Sequence, residues 1–470
     1  MVNYGFVIDN RKCIGCHACT VACKSEHDVP IGVNRTHVKY IEKGTYPDVT
    51  REFSVHRCNH CEDSPCTTIC PTTALFTRED GIVDFDDDRC IGCKSCMQAC
   101  PYDALYIDPN KGTAAKCNYC AHRIEHSYEP SCVVVCPVEA IISGDLDDPN
   151  SSISGYLNEH ETIVRKPESG AKPNVFYVET SEDSLDPHAT ERSGEYLWTD
   201  QAAGVGHFAK YAEQRSGAAD THSMIVQLAL EKKAKAAAPR DRAIIHDVMS
   251  RLEEETGKPK RSYDQPSKGV LWGWEVSAYV VTKAIATGTY MLAMALMLSG
   301  MLEMTDGMWW RLVIGCTAFL GLTGVLLILD LDRPERFVYV MLRPNWDSWL
   351  VKGAYLLGGF GGVLACSGAV LLFGLDRIYL EYLAYAGVPL ALLTGVYTAW
   401  LLKQARGRSW SEDGLLEAKM IFEMVVVGAG GVLLMASPGI LSILVFAILM
   451  AVVASHAHGT VIKHQLVTLY

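Results

Sequence analysis

Positive charge is in deficit in this chain. Forty-two Lys and Arg stand against 54 Asp and Glu, a formal net charge of −12 over 470 residues. That balance argues against nucleic acid as a partner. The opening residues, MVNYGFVIDNRKCIGC, contain no apolar h-region and no twin-arginine pair, so no export signal is expected there. Without export, a disulfide framework is not expected either. Histidine is nearly missing from the long apolar runs of the second half. Only His456 and His458 stand there, at the end of the last run, which excludes facing histidine pairs for an intramembrane b-type haem.

Cysteine is abundant. Sixteen of the 18 cysteines fall in four groups: Cys13-Cys16-Cys19-Cys23, Cys58-Cys61-Cys66-Cys70, Cys90-Cys93-Cys96-Cys100 and Cys117-Cys120-Cys132-Cys136. An iron cubane needs a soft thiolate at each of four corners, and C-x2-C-x2-C wraps three of them. The fourth cysteine, commonly followed by proline, leads away and usually serves a partner cluster. Cys70-Pro71, Cys100-Pro101 and Cys136-Pro137 keep that proline, and Cys23-Lys24 does not. A lone C-x2-C pair would suit zinc, whereas three cysteines within seven residues, found in two groups, do not suit a tetrahedral ribbon. Four [4Fe-4S] clusters are therefore expected. Spacing alone leaves nested and sequential pairing of the groups both open. Cys316 and Cys366 stand alone in apolar runs and read as small buried hydrophobes.

The expected fold class is an α+β tandem ferredoxin-like domain over 1–180, a polar helical linker or docking region over 181–268, and an all-α membrane domain over 269–470. Short β-like runs flank the cysteine groups, such as Gly81–Phe85 and Ala104–Ile107, and Asn174–Val178 reads as a further strand. Helices are expected around Met224–Ala238 and Asp241–Thr256. Six apolar segments follow, near 272–301, 311–330, 350–374, 380–402, 417–436 and 439–458. Each approaches the ~20 residues that cross a bilayer. With six spans, both ends of the membrane domain face one side. Loops on that side carry Arg333, Arg336, Arg343, Lys403, Arg406 and Arg408, and the tail has Lys463, so the positive-inside rule puts the cluster domain in the cytoplasm.

Without haem ligands in the membrane, electrons from the clusters need a lipid-soluble carrier, and a quinone, menaquinone or ubiquinone, is expected. Glu275, Tyr279 and Lys283 recur every four residues and share one helix face. Asp330, Asp332, Arg333 and Arg336 follow the second span and return to the same side. Together these seven residues are the expected quinone pocket, since quinone reduction needs a proton source beside an electron source. Arg333 and Arg336 read equally well as headgroup anchors.

CNHCEDSPCTTICP (58–71), CIGCKSCMQACPYDA (90–104) and CNYCAHRIEHSYEPSCVVVCP (117–137) resemble the four-cluster electron-transfer subunits of the molybdenum DMSO reductase superfamily. The resemblance covers roughly 1–180. It implies nested pairing: Cys13, Cys16, Cys19 with Cys136; Cys117, Cys120, Cys132 with Cys23; Cys58, Cys61, Cys66 with Cys100; and Cys90, Cys93, Cys96 with Cys70. It also implies that the first of these clusters faces a catalytic subunit and the last lies nearest the membrane. DLDRPERF (330–337), Ser348, WGWEVSAY (272–279) and YTAWLLKQARGRSW (397–410) resemble the NrfD/PsrC quinone-reactive membrane subunits. The usual form there has glycine at the position of Asp332 and eight or more spans. The shorter span count leaves ion translocation open.

The expectation is a fused electron-transfer and membrane-anchor subunit of a molybdenum or tungsten oxidoreductase, multi-pass in a bacterial or archaeal cell membrane. Its partners are a molybdopterin-containing catalytic subunit, lipid and quinone. No catalytic residue is assigned, because nothing here reads as a pterin or organic-substrate site. An alternative is a membrane-tethered polyferredoxin in an ion-translocating complex. It calls for carboxylates near the midplane of several spans, and Glu423 alone stands there. A structural anchor that never touches quinone is a third reading.

Overall fold

The computed structural model describes residues 2–45, 48–186, 190–192, 258–265, 268 and 271–466. The helices expected at Met224–Ala238 and Asp241–Thr256 lie outside the described residues.

The N-terminal part is built on strands β1 (Tyr4–Asp9), β2 (His37–Thr45), β3 (Asp48–His56), β4 (Leu75–Thr77), β5 (Val83–Phe85), β6 (Tyr106–Ile107), β7 (Ala114–Ala115), β8 (Ile141–Asp145), β9 (Thr162–Ile163), β10 (Val175–Val178), β11 (Glu191–Arg192) and β12 (Lys260–Tyr263). One mixed sheet has the order β8-β1-β10-β9 and a second the order β11-β12-β2-β3. In β1, Phe6, Val7 and Ile8 are all fully buried, as suits a strand covered on both faces. Strands β5, β6 and β10 fall in the runs expected to be extended.

Two hairpins, β4 with β5 and β6 with β7, lie between the cysteine groups and set where those groups meet. Hairpin β4–β5 reverses the backbone so that Cys70, before it, returns to Cys90, after it. The pairing of β1 with β8 does the same over a longer distance. Register Ile8↔Ile141 holds the end of β1, leading to Cys13, beside the start of β8, which follows Cys136.

Six long helices make the C-terminal part: α1 (Trp274–Leu298), α2 (Asp306–Leu329), α3 (Trp349–Leu372), α4 (Ile378–Gln404), α5 (Leu416–Ala436) and α6 (Ile440–Leu466). All six are long and apolar enough to cross a membrane. Helix α1 is the hub, with 72% of its apolar window buried against 11% for α6. It packs on α2, α4, α5 and α6. Small residues allow this: a Cβ added to Gly288 of α1 would stand 2.1 Å from the Met424 carbonyl oxygen of α5. Lipid tails are as apolar as side chains, so helices here associate by close packing rather than by hydrophobic transfer.

Cys316 is buried, as expected, but Cys366 is exposed on the outer surface of α3.

Candidate functional site

Each cysteine loop turns in the same way. The residue before the second cysteine of each group has positive φ: 67° at Gly15, 44° at His60, 70° at Gly92 and 60° at Tyr119. Such turns aim successive backbone N–H groups and sulfurs at one concavity, the shape used by iron–sulfur sites. The structure brings thiols from different groups together. Cys23 faces Cys117, Cys120 and Cys132. Cys100 faces Cys58, Cys61 and Cys66. Cys70 faces Cys90, Cys93 and Cys96, and Cys136 faces Cys13. All sixteen are free of disulfides.

Burial pushes the Cys19 thiol up to about 11 and the Cys117 thiol to about 12, with the Arg57 guanidinium pulling both back and Cys132 adding to the rise. Cations among sulfurs packed this way, and hydrogen bonds to them, favour the thiolate form. Among the described residues, no three His, Cys, Asp or Glu side chains converge on a point fit for a single metal ion. A zinc ion would hold its sulfurs at about 2.3 Å. A cubane spreads its four thiolates over separate iron corners, and these all-thiol sets of four fit that donor pattern.

The membrane part grips the Cys70–Cys90–Cys93 region by its backbone. Trp272 Nε1 donates to the Cys93 carbonyl at 3.1 Å. Asn345 Nδ2 donates to the Cys70 carbonyl at 2.8 Å, and the buried Ser348 hydroxyl to that of Ile69 at 2.7 Å. An Arg336 guanidinium nitrogen donates to the carbonyls of Asp87 at 2.6 Å and Cys90 at 3.1 Å. Gly407 packs so closely on the Cys100 carbonyl that an added Cβ would stand 2.4 Å from the oxygen.

Between this loop and the helices lies an apolar cavity of about 180 Å³. An apolar cavity of roughly 150 Å³ accepts a benzene ring, so this one admits a substituted ring. Cys93 and Trp272 are at one wall, Tyr279 and Tyr397 are among the phenols lining it, and Asp330 is its carboxylate. Asp330 caps the end of α2, just beyond the span. Burial raises its carboxyl to about 7; Lys94 opposes the rise, and Glu275 and Asp332 add to it.

Of the seven residues expected at a pocket, Tyr279 and Asp330 line this cavity. Glu275 acts on Asp330 from outside it. Lys283 is buried deeper in α1, donating to the Thr398 hydroxyl with its ammonium 4.3 Å from the centre of the Tyr397 ring. Asp332 pairs with Lys94 at 3.2 Å. The Arg333 backbone N–H donates to the Ile91 carbonyl at 3.2 Å and its Nε to that of Lys111 at 2.6 Å. Asp332, Arg333 and Arg336 therefore hold the two parts together rather than lining the cavity. Tyr397 was not singled out from the sequence. A phenol beside Thr398 inside an apolar run is the signal that points to it.

Two family models match the protein. The 4Fe-4S dicluster domain matches residues 49–146, and the polysulphide reductase, NrfD, family matches residues 264–439. Among curated relatives, the B subunit of tetrathionate reductase from Salmonella typhimurium is 45% identical over 179 residues, 37% of this chain and 72% of the relative. The B component of polysulfide reductase from Wolinella succinogenes is 43% identical over 178 residues, 37% of this chain and 93% of the relative. A Halobacterium salinarum protein named for the iron–sulfur B subunit of dimethyl sulfoxide reductase is 37% identical over 251 residues, 47% of this chain and 93% of the relative.

Proposed function

This protein belongs to the family of reductase iron–sulfur subunits, joined in one polypeptide to an NrfD-type multi-pass membrane domain, and we propose that it carries electrons between a separate molybdopterin-containing catalytic subunit and the membrane quinone pool. The observation that carries this reading is the apolar cavity lined at once by Cys93, Tyr279 and Asp330. A redox carrier from the membrane needs an electron donor and a proton donor at one place, and few sites offer both.

In this reading residues 1–180 hold four [4Fe-4S] clusters, which supply single-electron steps. The sets are Cys13, Cys16, Cys19 and Cys136; Cys23, Cys117, Cys120 and Cys132; Cys58, Cys61, Cys66 and Cys100; and Cys70, Cys90, Cys93 and Cys96. Residues 181–268 link them to the membrane domain, 269–470. The last set is the one beside the cavity. Trp272 fixes the Cys93 loop against α1. Tyr279, Asp330 and Tyr397 orient the quinone ring, and Asp330 gives up a proton as two electrons arrive, or takes it back in the reverse direction. The second proton of the hydroquinone comes from solvent on the Asp330 side. Lys94 and Asp332 hold the loop that presents Asp330. In this reading the cluster domain faces the cytoplasm, an orientation that the arginine-rich loops on its side support through the positive-inside rule.

The test compares quinone-linked turnover with turnover to a soluble dye that takes electrons from the clusters. Asp330→Asn and Tyr279→Phe are expected to lose the first by tenfold or more and keep the second. Unchanged quinone-linked turnover in both variants overturns the assignment of this cavity.

A further inference from the structure

We propose that Arg57 and Lys116 are cationic side chains built between successive clusters, and that they raise the reduction potentials of the clusters they separate. The inference rests on the four-cluster reading above.

Arg57 follows β3 and directly precedes Cys58, yet its side chain is 1% exposed. One guanidinium nitrogen donates to Cys132 Sγ at 3.1 Å. The guanidinium carbon lies 4.4 Å from the centre of the Phe6 ring. Nε and Nη2 are buried and have no hydrogen-bond partner among the described residues. No carboxylate forms an ion pair with Arg57 among the described residues. A buried guanidinium with neither a counter-ion nor a full set of acceptors is costly. Its nearest charged partners are Cys132 and Cys117 of one set and Cys19 of another. It stands where two thiolate sets meet, and its bare donors fit acceptors of sulfide character.

Lys116 repeats the arrangement one step along. It is fully buried, precedes Cys117, and donates to the carbonyls of Val83 and Cys117. It has no carboxylate partner among the described residues. Its charge acts on Cys66 of the third set. One cation thus lies between the first and second sets, and one between the second and third.

The physical consequence follows from charge. A cubane held by four thiolates is net negative, and reduction adds one more negative charge. In a hop, the donor cluster loses one electron and the acceptor gains it, with no bond made or broken. A fixed cation favours the reduced state of both neighbours, and net charge and hydrogen bonds to sulfur are among the levers that set cluster potentials. Arginine cannot be deprotonated in a protein, so the Arg57 contribution stays constant as each electron passes.

The experiment uses the full-length protein in detergent. Iron and acid-labile sulfide are counted first, and fewer than four clusters in the native protein would overturn the four-cluster reading rather than this one. EPR-monitored redox titrations then give midpoints, with signals assigned through single Cys→Ser variants. Arg57→Gln is expected to lower the midpoints of the first and second sets and leave the Cys90 set unchanged. Lys116→Gln is expected to move the decrease to the second and third sets. Arg57→Lys, which keeps the charge and changes the shape, is expected to keep midpoints close to native. Neutral variants that load four clusters with native midpoints overturn the proposal. So does an Arg57→Lys variant whose midpoints fall as far as those of Arg57→Gln. If Arg57→Gln fails to load clusters, native midpoints in Arg57→Lys uphold the proposal and lowered ones overturn it. If neither Arg57 variant loads, Lys116→Gln decides on the same terms.

Discussion

Trp272 Nε1 donates to the carbonyl oxygen of Cys93 at 3.1 Å, so the residue entering the first membrane helix holds the loop of the cysteine nearest the cavity. The indole also stacks on Trp410, with ring centroids 5.8 Å apart. Trp272→Phe keeps an apolar ring in place and leaves the carbonyl without its donor. An unmade buried hydrogen bond costs about 1–3 kcal/mol. The expected outcome is a several-fold drop in quinone-linked turnover with iron content unchanged, read by dye-linked against quinone-linked assays. Equal loss in both assays would mean that the contact supports the cluster domain alone.

Asp330 gives the pH dependence. Its carboxyl, raised to about 7 chiefly by burial, is protonated below that value and ionised above it. As the proton donor of the proposed reaction it is competent on the acid side, so quinone reduction is expected to fall about tenfold per pH unit above about 7. Lys94 opposes the rise, so Lys94→Met removes a cation and shifts the midpoint of the profile upward. Asp330→Asn abolishes this limb and costs about 10²–10⁴ in rate. A pH profile of Asp330→Asn with the native midpoint assigns the titration to another group.

Asn345 Nδ2 donates to the carbonyls of Thr67, Thr68 and Cys70 at 3.2, 3.3 and 2.8 Å. Asn345→Leu removes the amide that serves all three carbonyls at one docking point. The loss is expected to be about 1–3 kcal/mol, seen as slower reduction of the clusters by a quinol analogue in stopped-flow absorbance. The clusters themselves should load normally. Native reduction kinetics would show that the remaining contacts fix the loop without it.

Gly288 and Gly428 meet backbone to backbone. A Cβ on Gly428 would lie 2.4 Å from the Gly288 carbonyl carbon. Gly428→Ala is expected to lower the stability of the membrane domain by about 1–3 kcal/mol through overpacking. Gly315→Ala, where nothing lies within 4 Å of the added carbon, is the matched control and should be neutral. Thermal unfolding in detergent reads both. Equal melting of the two variants would remove the role given to this contact.

Composition and spacing made much of the molecule legible. Long apolar runs dictate helices because only a helix satisfies its own backbone in hydrocarbon, and six emerged at the expected places. Cysteine triplets dictate local loops, because short spacing limits which sulfurs can share a centre. The runs around β5, β6 and β10 were likewise readable from apolar patterning between turns. Periodicity on α1 also placed Glu275, Tyr279 and Lys283 on one face, but depth separates them: Tyr279 reaches the cavity and Lys283 lies beyond it on Thr398.

By itself the sequence determined the two-part architecture and the chemistry of the thiols, because residue type and local spacing suffice for both. Tertiary structure decided the rest. Which distant cysteine meets which loop depends on strand register, as where β1 beside β8 returns Cys136 to Cys13. Whether a charged side chain lines the cavity or docks a neighbouring loop depends on where two segments of the backbone cross. Arg336 and Asp330 stand six residues apart, yet one donates to the Cys90 carbonyl and the other faces the cavity. Arg57, which reads as an ordinary arginine at the end of a strand, gained its position among thiolates only when sequence-distant loops closed around it.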